Sequence, residues 1–190
     1  KSEKEYPTLT VHVPGNWDNA ELGGAPRTLN TVWASKMKEV LLGLDEGNKK
    51  YGLNWNVNME VDHHGPTCSA PIMYVEIGSS EKEWVNLTAA KIVAESVMRM
   101  LEAGSSFESY FCIGGGHYSQ EFTKMGLREE KAAGHILPKY HIETLKMDTF
   151  EQAMEKSVDG VKGILIEKKG TNKWQKDIIE ALAKEYGAET

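Results

Sequence analysis

The sequence predicts an α/β fold, with a mixed or largely parallel sheet and helices on both faces. Short β-branched or continuous apolar runs indicate strands, and longer segments with apolar residues at helical spacing indicate helices. The two kinds of segment alternate along the chain, so their connections are crossovers that place strands parallel. A chain of 190 residues has room for one such domain, and we expect residues 1–190 to form it.

The first half of the chain is expected to contain three strands and two helices. The run TLTVHV is rich in β-branched residues and stops at PGN, where a long polar loop begins. From Thr28 to about Lys50, apolar residues recur at helical spacing. WNVNMEVD alternates as a half-buried strand does, and PIMYVEIG is a continuous apolar run. SSEKEWVNLTAAKIVAESVMRMLEAG has serines at its start and a glycine at its end, which mark one helix.

The second half continues the alternation. SYFCIGGGHYS predicts a strand that runs into a triple-glycine turn, and AAGHILPKYHI predicts a shorter strand that ends at Pro138. TFEQAMEKS then predicts a helix, VKGILIEKK a strand, and NKWQKDIIEALAKEYG a final helix. We find no internal repeat along the sequence.

The composition restricts the partners and the location. The formal net charge is −6, so contact with a nucleic acid requires a local basic patch. The two cysteines, Cys68 and Cys112, form no CxxC motif, which argues against a disulfide framework and favours the cytoplasm. No apolar run could span a bilayer, and KSEKEYPTL lacks the apolar core of a signal peptide. Because the chain starts at Lys1 rather than Met, we expect its natural beginning to lie upstream.

Histidines mark a candidate site. Five of the six adjoin a strand end or a glycine: His12, His63, His64, His117 and His135. Ligands of α/β proteins gather at the carboxyl ends of strands, so these imidazoles are expected to converge. One such histidine is more often structural, but five in similar contexts favour a functional site.

The segment VDHHGPTCSAPIMYVEIG joins a histidine pair to a glutamate within an apolar run. Adjacent side chains of a strand point to opposite faces, but Gly65 and Pro66 end the strand and allow both imidazoles to face one substrate. A polar turn is the alternative. Glu76 is costly to bury unless it is paired or metal-bound, so it could orient a histidine, bind metal or act as a general base. Exposure on an edge strand is the alternative for Glu76.

The triple glycine of CIGGGHYS lacks the Lys-Ser/Thr of a Walker loop and the GxGxxG spacing, so it is weak evidence for nucleotide binding. Backbone N–H groups of Gly114, Gly115 and Gly116 could instead form an oxyanion or anion site beside His117, unless the segment is only a tight turn. Zinc uses histidine and carboxylate ligands, but no HExxH spacing occurs, so metal-free acid–base catalysis stays open. The candidate metal ligands are His12, His64, Glu76, His117 and His135.

Two groups of basic residues could contact RNA. The first surrounds Trp174, although a solvated helix start explains it better, and comprises Lys168, Lys169, Lys173 and Lys176. The second lies around the glycine and proline motifs and comprises Lys124, Arg128, Lys131 and Lys139.

Taken in order, the motifs LTVHVPGNW, DHHGPT, VEIGSSEKEW, IGGGHY and GHILPKY resemble those of the archaeal and plant type of D-aminoacyl-tRNA deacylase, also called D-tyrosyl-tRNA deacylase. The resemblance extends from about Pro7 to Tyr140, and more loosely through the final strand and helix. It implies a fold similar to nucleoside phosphorylases and peptidyl-tRNA hydrolases, dependence on zinc, and hydrolysis of the ester between a D-amino acid and tRNA. Family members are longer at the amino end, which implies a missing amino-terminal part here.

The resemblance assigns the site to the five histidines above and Glu76. In the leading hypothesis, water held by zinc or deprotonated by His63, His64 or His117 attacks the aminoacyl carbonyl. The glycine amides or the metal would stabilise the oxyanion, and the expected tRNA contacts are Lys139, Lys124 and Arg128.

Two other classes of function stay open on the residues alone. A nucleosidase or phosphorylase would act on small nucleosides and would need an anion site for phosphate. This hypothesis rests on fold analogy. A noncatalytic RNA- or metal-binding protein would bind without turnover. We expect a monomer or a homodimer, with no membrane and no protein partner.

Overall fold

Two three-stranded sheets form the centre of the computed structural model, which describes residues 6–188. The first sheet has the order β4–β1–β5, where β1 is Thr8–His12, β4 is Asn56–Met59 and β5 is Tyr74–Gly78. Strand β1 pairs parallel with β4 and antiparallel with β5, so this sheet is mixed. The expectation about the chain's beginning concerns Lys1, which lies outside the described residues.

The second sheet is parallel throughout. It has the order β7–β6–β8, where β6 is Glu108–Ile113, β7 is Lys131–Leu137 and β8 is Gly163–Ile166. A small antiparallel pair, β2 (Gly15–Asn16) and β3 (Thr28–Leu29), frames the long polar loop after β1.

Helices connect the strands. They are α1 (Ala34–Lys50), α2 (Glu81–Trp84), α3 (Leu87–Glu102), α4 (Gln120–Arg128), α5 (Met147–Glu155) and α6 (Lys173–Tyr186), with a 3-10 helix at Lys139–Thr144. Within residues 6–188, none of these helices is long and apolar enough to cross a membrane.

Alternation along β6 separates two cores. Phe111 and Ile113 pack in one apolar cluster with Phe150 of α5 and Ile179 of α6. Cys112 between them belongs to the other cluster, which contains the buried apolar residues of α1 and α3. Because successive strand side chains point to opposite faces, this division places helices on both faces of the sheet. The predicted α/β class is therefore confirmed.

The two sheets meet where β4 continues beyond Met59. The backbone N–H of Asp62 donates to the carbonyl of Ile136 in β7 at 3.0 Å, and the N–H of Ile136 donates to Asp62 Oδ1 at 2.9 Å. The N–H of Val61 donates to the carbonyl of His117 at 3.1 Å. These contacts bring the carboxyl ends of β1 and β4 beside the turn that follows β6.

The helices differ from the predicted ones in three respects. Helix α1 begins at Ala34 rather than near Thr28, because Thr28 and Leu29 pair with β2. The single predicted helix around residues 79–104 divides into α2 and α3 at Asn86, whose side chain accepts hydrogen bonds from the N–H groups of Thr88 and Ala89. Helix α4 is not predicted by the patterns above, and its nine residues depend on tertiary contacts.

One of those contacts is a buried lysine. Lys38 of α1 is 4% exposed, and its ammonium donates to the carbonyls of Gly126 and Lys131 at 2.9 Å each and to that of Glu129. The last carbonyls of a helix have no partner within the helix, and they carry partial negative charge. Lys38 therefore stabilises the carboxyl end of α4 and the start of β7 together.

We expect Lys38→Met to lower the free energy of unfolding by roughly 2–3 kcal/mol, because three carbonyls lose a charged donor while the apolar stem keeps its volume. Urea unfolding followed by circular dichroism measures the change. The matched control is Lys49→Met, whose exposed ammonium contacts Asp45 alone among the described carboxylates and whose loss should stay within about 0.5 kcal/mol. Equal stability of the two variants would contradict this role of Lys38.

Candidate functional site

Four histidines and two glutamates converge where the two sheets meet. His12 ends β1, Glu76 lies opposite Thr10 on the neighbouring β5, and the others follow β4 or β6: Glu60, His63, His64 and His117. The structure thus brings together four of the five histidines that the strand-end pattern predicts, and it places the predicted Glu76 with them. We call these six residues the histidine–glutamate cluster.

Glu60 lies at the centre of this cluster. It is 4% exposed, and its Oε2 lies 3.7 Å from His12 Nδ1, 3.5 Å from His63 Nε2 and 3.3 Å from His117 Nε2. Burial acts to raise the pKa of Glu60, but the hydrogen bond from His117 and the charges of the neighbouring imidazoles outweigh it, and the pKa is lowered. Glu60 is therefore an anion held among imidazoles.

The sequence patterns do not single out Glu60. In WNVNMEVD it shares the alternation phase of Asn56 and Asn58, so it resembles a solvent-facing polar residue. Its position three residues before His63 is the local signal that could have found it. The tertiary structure buries it because the strand joins the second sheet at this residue, through a bridge to Tyr118.

Backbone carbonyls determine the tautomers of the histidine pair. His63 Nδ1–H donates to the carbonyl of Val61 at 2.7 Å, and His64 Nδ1–H donates to the carbonyl of Gly65. When neutral, both rings therefore carry their lone pair on Nε2. This arrangement, with Nδ1–H on a backbone carbonyl, is the one that orients a histidine as a metal ligand.

His12 adds a further lone pair. Its side chain is fully buried, with Nε2 lying 3.2 Å from His64 Nε2 and Nδ1 having no hydrogen-bond partner among residues 6–188. If His12 Nε2–H donates to His64, then His12 Nδ1 presents a lone pair toward the Glu60 carboxylate. The opposite tautomer places two lone pairs face to face between the rings. In either tautomer of His12, buried acceptors face one another without a donor between them. A bound cation would satisfy these acceptors.

Burial keeps two of these rings neutral. Burial lowers the pKa of His12, and the charge of the nearby His63 lowers it further, to about 3. Burial likewise lowers the pKa of His63 to about 4. A neutral imidazole is the form that binds a metal. In Glu76, burial raises the pKa and the charge of Glu60 adds to the effect.

The donor atoms form three sets, each within 4.8 Å. The sets are His12, His63 and His64; Glu60, His63 and His117; and His12, Glu60 and Glu76. Ring nitrogens and carboxylate oxygens are the ligands that zinc takes from histidine and acidic residues. The donors present therefore fit a zinc ion.

The turn after His64 accounts for the convergence of the pair. His64 has a φ of 49°, in the left-handed region, so the chain leaves the extended conformation between the two histidines. A Cβ on Gly65 would lie 2.4 Å from the backbone N of Gly24, so only glycine allows the loop after β1 to approach so closely. The loop is held there by the N–H of Gly65, which donates to the carbonyl of Leu22 at 3.2 Å.

A pocket opens beside the histidine pair. Its walls are the segment 15–22 of that loop together with Asp62, His63, His64 and His141. Asp18 and Glu21 supply carboxylates to the lining, and the exposed Leu22 supplies apolar surface. Trp17 contributes little, because it is 2% exposed and stacks on Phe111 in the core. The pocket therefore connects the cluster with an acidic and partly apolar wall.

His135 lies apart from the cluster. It is buried, its Nδ1 lies 2.6 Å from Asp62 Oδ2, and its Nε2–H donates to the carbonyl of Lys156 at 3.1 Å. Both nitrogens are thus hydrogen-bonded, and burial raises the pKa of Asp62 despite the opposing effect of His135. The structure places His135 as a support of the sheet junction, outside the three donor sets.

The triple-glycine turn has one amide already in use. The N–H of Gly114 donates to the carbonyl of Leu137 at 2.9 Å, so it is not free for an oxyanion. The N–H of Lys139 donates to the carbonyl of Gly115 at 3.0 Å, which ties the start of the 3-10 helix to the turn. Gly115 and Gly116 remain candidates for the predicted oxyanion site.

The predicted tRNA contacts are exposed. Lys139 begins the 3-10 helix and Arg128 ends α4, while Lys124 pairs with Glu121 at 2.7 Å. In the basic group around Trp174, Lys173 begins α6 behind the N-cap Asn172, as the interpretation of a solvated helix start requires.

Comparisons with known proteins agree with this architecture. The family model described as D-aminoacyl-tRNA deacylase matches residues 1–190. A protein named D-aminoacyl-tRNA deacylase from Pyrococcus furiosus is 39% identical over 189 residues, which are 99% of this chain and 68% of that protein. One of the same name from Saccharolobus solfataricus is 34% identical over 97% of this chain and 76% of its own length.

A solved crystal structure of a conserved protein of unknown function matches with a TM-score of 0.92 and 32% identity, covering 100% of this chain and 67% of that one. A match at this level supports the chain path described above, including the junction between the two sheets. The family model covers every residue of the sequence. The chain belongs to the D-aminoacyl-tRNA deacylase family.

Proposed function

We propose that this chain hydrolyses the ester bond of D-aminoacyl-tRNA and releases free tRNA and the D-amino acid. The observation that carries the proposal is the histidine–glutamate cluster at the sheet junction, in a chain whose relatives are named D-aminoacyl-tRNA deacylase. A buried carboxylate surrounded by imidazoles, open to a pocket on one side, suits acid–base hydrolysis. The cytoplasmic location that the cysteine content favours stays a prediction.

We propose zinc as the cofactor, held by ring nitrogens of His12, His63 and His64, which form one of the three donor sets. The support is the set of facing lone pairs, above all the unpartnered Nδ1 of His12. When bound, zinc would polarise the ester carbonyl and lower the pKa of a water molecule. Of the ligands that the resemblance implies, His117 and Glu76 border this set, whereas His135 is hydrogen-bonded to Asp62.

His117 is the imidazole that is best placed to move protons. Its side chain is 43% exposed, and its Nε2 faces Glu60 Oε2 at 3.3 Å, so Nε2 carries the proton and Nδ1 keeps a lone pair. Nδ1 can take a proton from the attacking water as the water oxygen bonds to the carbonyl carbon. When the carbon–oxygen bond to the ribose breaks, the same proton passes to the leaving oxygen. Glu60 is a positioning residue, since it acts through His117.

The tRNA would approach from the side of the exposed cations. Gly115 and Gly116 precede His117, so their N–H groups would meet the developing oxyanion beside the proton-transfer group. The candidate phosphate contacts are Lys139, Lys124 and Arg128.

The experiment that tests the function compares matched D- and L-tyrosyl-tRNA, with and without a chelator. We expect rapid release of D-tyrosine, much slower release of L-tyrosine, and loss of the D-specific rate after chelation. Equal rates on both substrates, or no release from either, would refute the proposed function. A D-specific rate that survives complete removal of metal would refute zinc alone.

Zinc binding has its own test, measured by competition with a chromogenic chelator. We expect one zinc ion per chain, and a loss of affinity in His12→Ala and His64→Ala that exceeds the roughly 10–100-fold typical of removing a residue behind a metal ligand. His141→Ala is the matched control, because His141 lines the pocket but belongs to none of the donor sets. Unchanged affinity in both cluster variants would place the metal elsewhere.

Glu60→Gln should lower kcat by about 10²–10⁴-fold, the usual contribution of a positioned acid–base group, with a much smaller change in KM. The amide keeps the shape of the carboxylate but has no negative charge, so it cannot stabilise the imidazolium form of His117. Single-turnover hydrolysis of D-tyrosyl-tRNA measures the effect, and the exposed Glu121→Gln serves as control. A change in KM with kcat retained would show that Glu60 has no role in proton transfer.

A further inference from the structure

The pocket beside the histidine pair contains carboxylates that the proposed hydrolysis does not use. Asp18 and Glu21 line it together with His63 and His64, which belong to the cluster. The exposed Leu22 adds apolar surface to the same lining. The pocket therefore presents negative charge and apolar surface within one cavity that also reaches His63 and His64, the proposed zinc ligands.

The loop that carries these carboxylates is held in place from both sides. The buried Asn16 donates from Nδ2 to the carbonyls of Gly23 at 2.9 Å and Ala25 at 3.1 Å. The N–H of Ala25 donates to Thr67 Oγ1 at 2.8 Å, on the segment that follows the histidine pair. Because the same contacts anchor the loop and the histidine turn, the carboxylates keep a defined position relative to the cluster.

The negative charge of the loop is only weakly compensated. Arg27 Nη1 lies 4.0 Å from Asp18 Oδ1, but the same guanidinium makes two hydrogen bonds to Asp148, with Nε at 2.9 Å. Glu21 is exposed, and within residues 6–188 it has no lysine or arginine nitrogen within 4 Å. The ring of His141 completes the lining on that side. The carboxylates of the pocket are thus available to bind a cationic group of the substrate.

We propose that this pocket receives the aminoacyl group of the substrate and that Asp18 and Glu21 bind its α-ammonium group. The inference rests on the proposed function. An aminoacyl ester carries a cationic amine one carbon from its carbonyl, so groups that bind the amine must lie beside the hydrolytic residues. Asp18 and Glu21 line the same pocket as His63 and His64, the proposed zinc ligands, and charge-assisted hydrogen bonds to an ammonium are the strong ones.

This arrangement also discriminates between substrates. An ester whose amine is acylated, as in a peptidyl group, has no charge to offer and would leave the carboxylates without a partner. With the ammonium and the ester both held, exchanging D for L stereochemistry exchanges the positions of the side chain and the α-hydrogen. The pocket lining, which includes the exposed Leu22, then meets the side chain of one enantiomer and the α-hydrogen of the other.

The test compares D-tyrosyl-tRNA with N-acetyl-D-tyrosyl-tRNA in the whole chain. We expect the wild-type kcat/KM to favour the free amine by about 10-fold or more, as charge-assisted binding requires. In the double variant Asp18→Asn/Glu21→Gln the ratio should fall towards one, through a higher KM for the free-amine substrate. A ratio that the double variant leaves unchanged would overturn the inference while the proposed function stands.

The matched control is Asp177→Asn/Glu180→Gln on α6, which removes the same two charges from an exposed surface away from the pocket. It separates local binding from the general repulsion between an acidic protein and tRNA, and its ratio should equal that of the wild type. Binding of D-tyrosinamide and of its N-acetyl derivative is measured by NMR titration in the same variants. If neither tRNA is hydrolysed, the proposed function fails, and equal binding of the two amides by wild-type protein then overturns the inference separately.

Discussion

The pairing of Asp62 with Ile136 is the contact on which the site depends. One carboxylate oxygen of Asp62 accepts the N–H of Ile136, the other lies 2.6 Å from His135 Nδ1, and the backbone N–H returns to the carbonyl of Ile136. A fully desolvated carboxylate is costly unless all its acceptor positions are used. Here the cost is offset by joining two sheets that share few other backbone contacts. The ends of β1 and β4 meet the turn after β6 as a result.

The cluster conflicts with the rule that buried acceptors find donors. Glu60 and the lone pairs of His12, His63 and His64 face one another, and burial lowers the pKa of His12 to about 3, so protonation does not relieve the conflict near neutral pH. Folded proteins tolerate such arrangements mainly at functional sites. Two backbone carbonyls, of Val61 and Gly65, preserve the arrangement by fixing the tautomers of the histidine pair. This arrangement of acceptors supports the proposal that a cation binds here.

The two sides of the cluster differ in chemistry. On one side the anchored loop after β1 presents Asp18 and Glu21 within the pocket. On the other side His117 is exposed and follows the glycine turn, where the N–H of Lys139 donates to the carbonyl of Gly115. An acidic wall suits a small cationic group, and a cationic rim suits phosphates. The net charge of −6 is compatible with a tRNA substrate because the charges are distributed in this way.

The sequence by itself determined the local features. Period-2 and period-3.6 patterns identify the strands of the two three-stranded sheets and most helices, and the order of the motifs from LTVHVPGNW to GHILPKY identifies the family. The sequence also identifies candidate site residues, because a histidine beside a glycine or a glutamate inside an apolar run is recognisable from its neighbours in the chain. These candidates are His12, His63, His64, His117 and Glu76. The tertiary structure alone decided the role of Glu60, the separation of His135 from the other histidines, and the stability of α4. Each depends on at least one partner 21 to 93 positions away, such as Lys156 for His135 and Lys131 for Lys38, and periodicity over a few residues carries no information about such pairs.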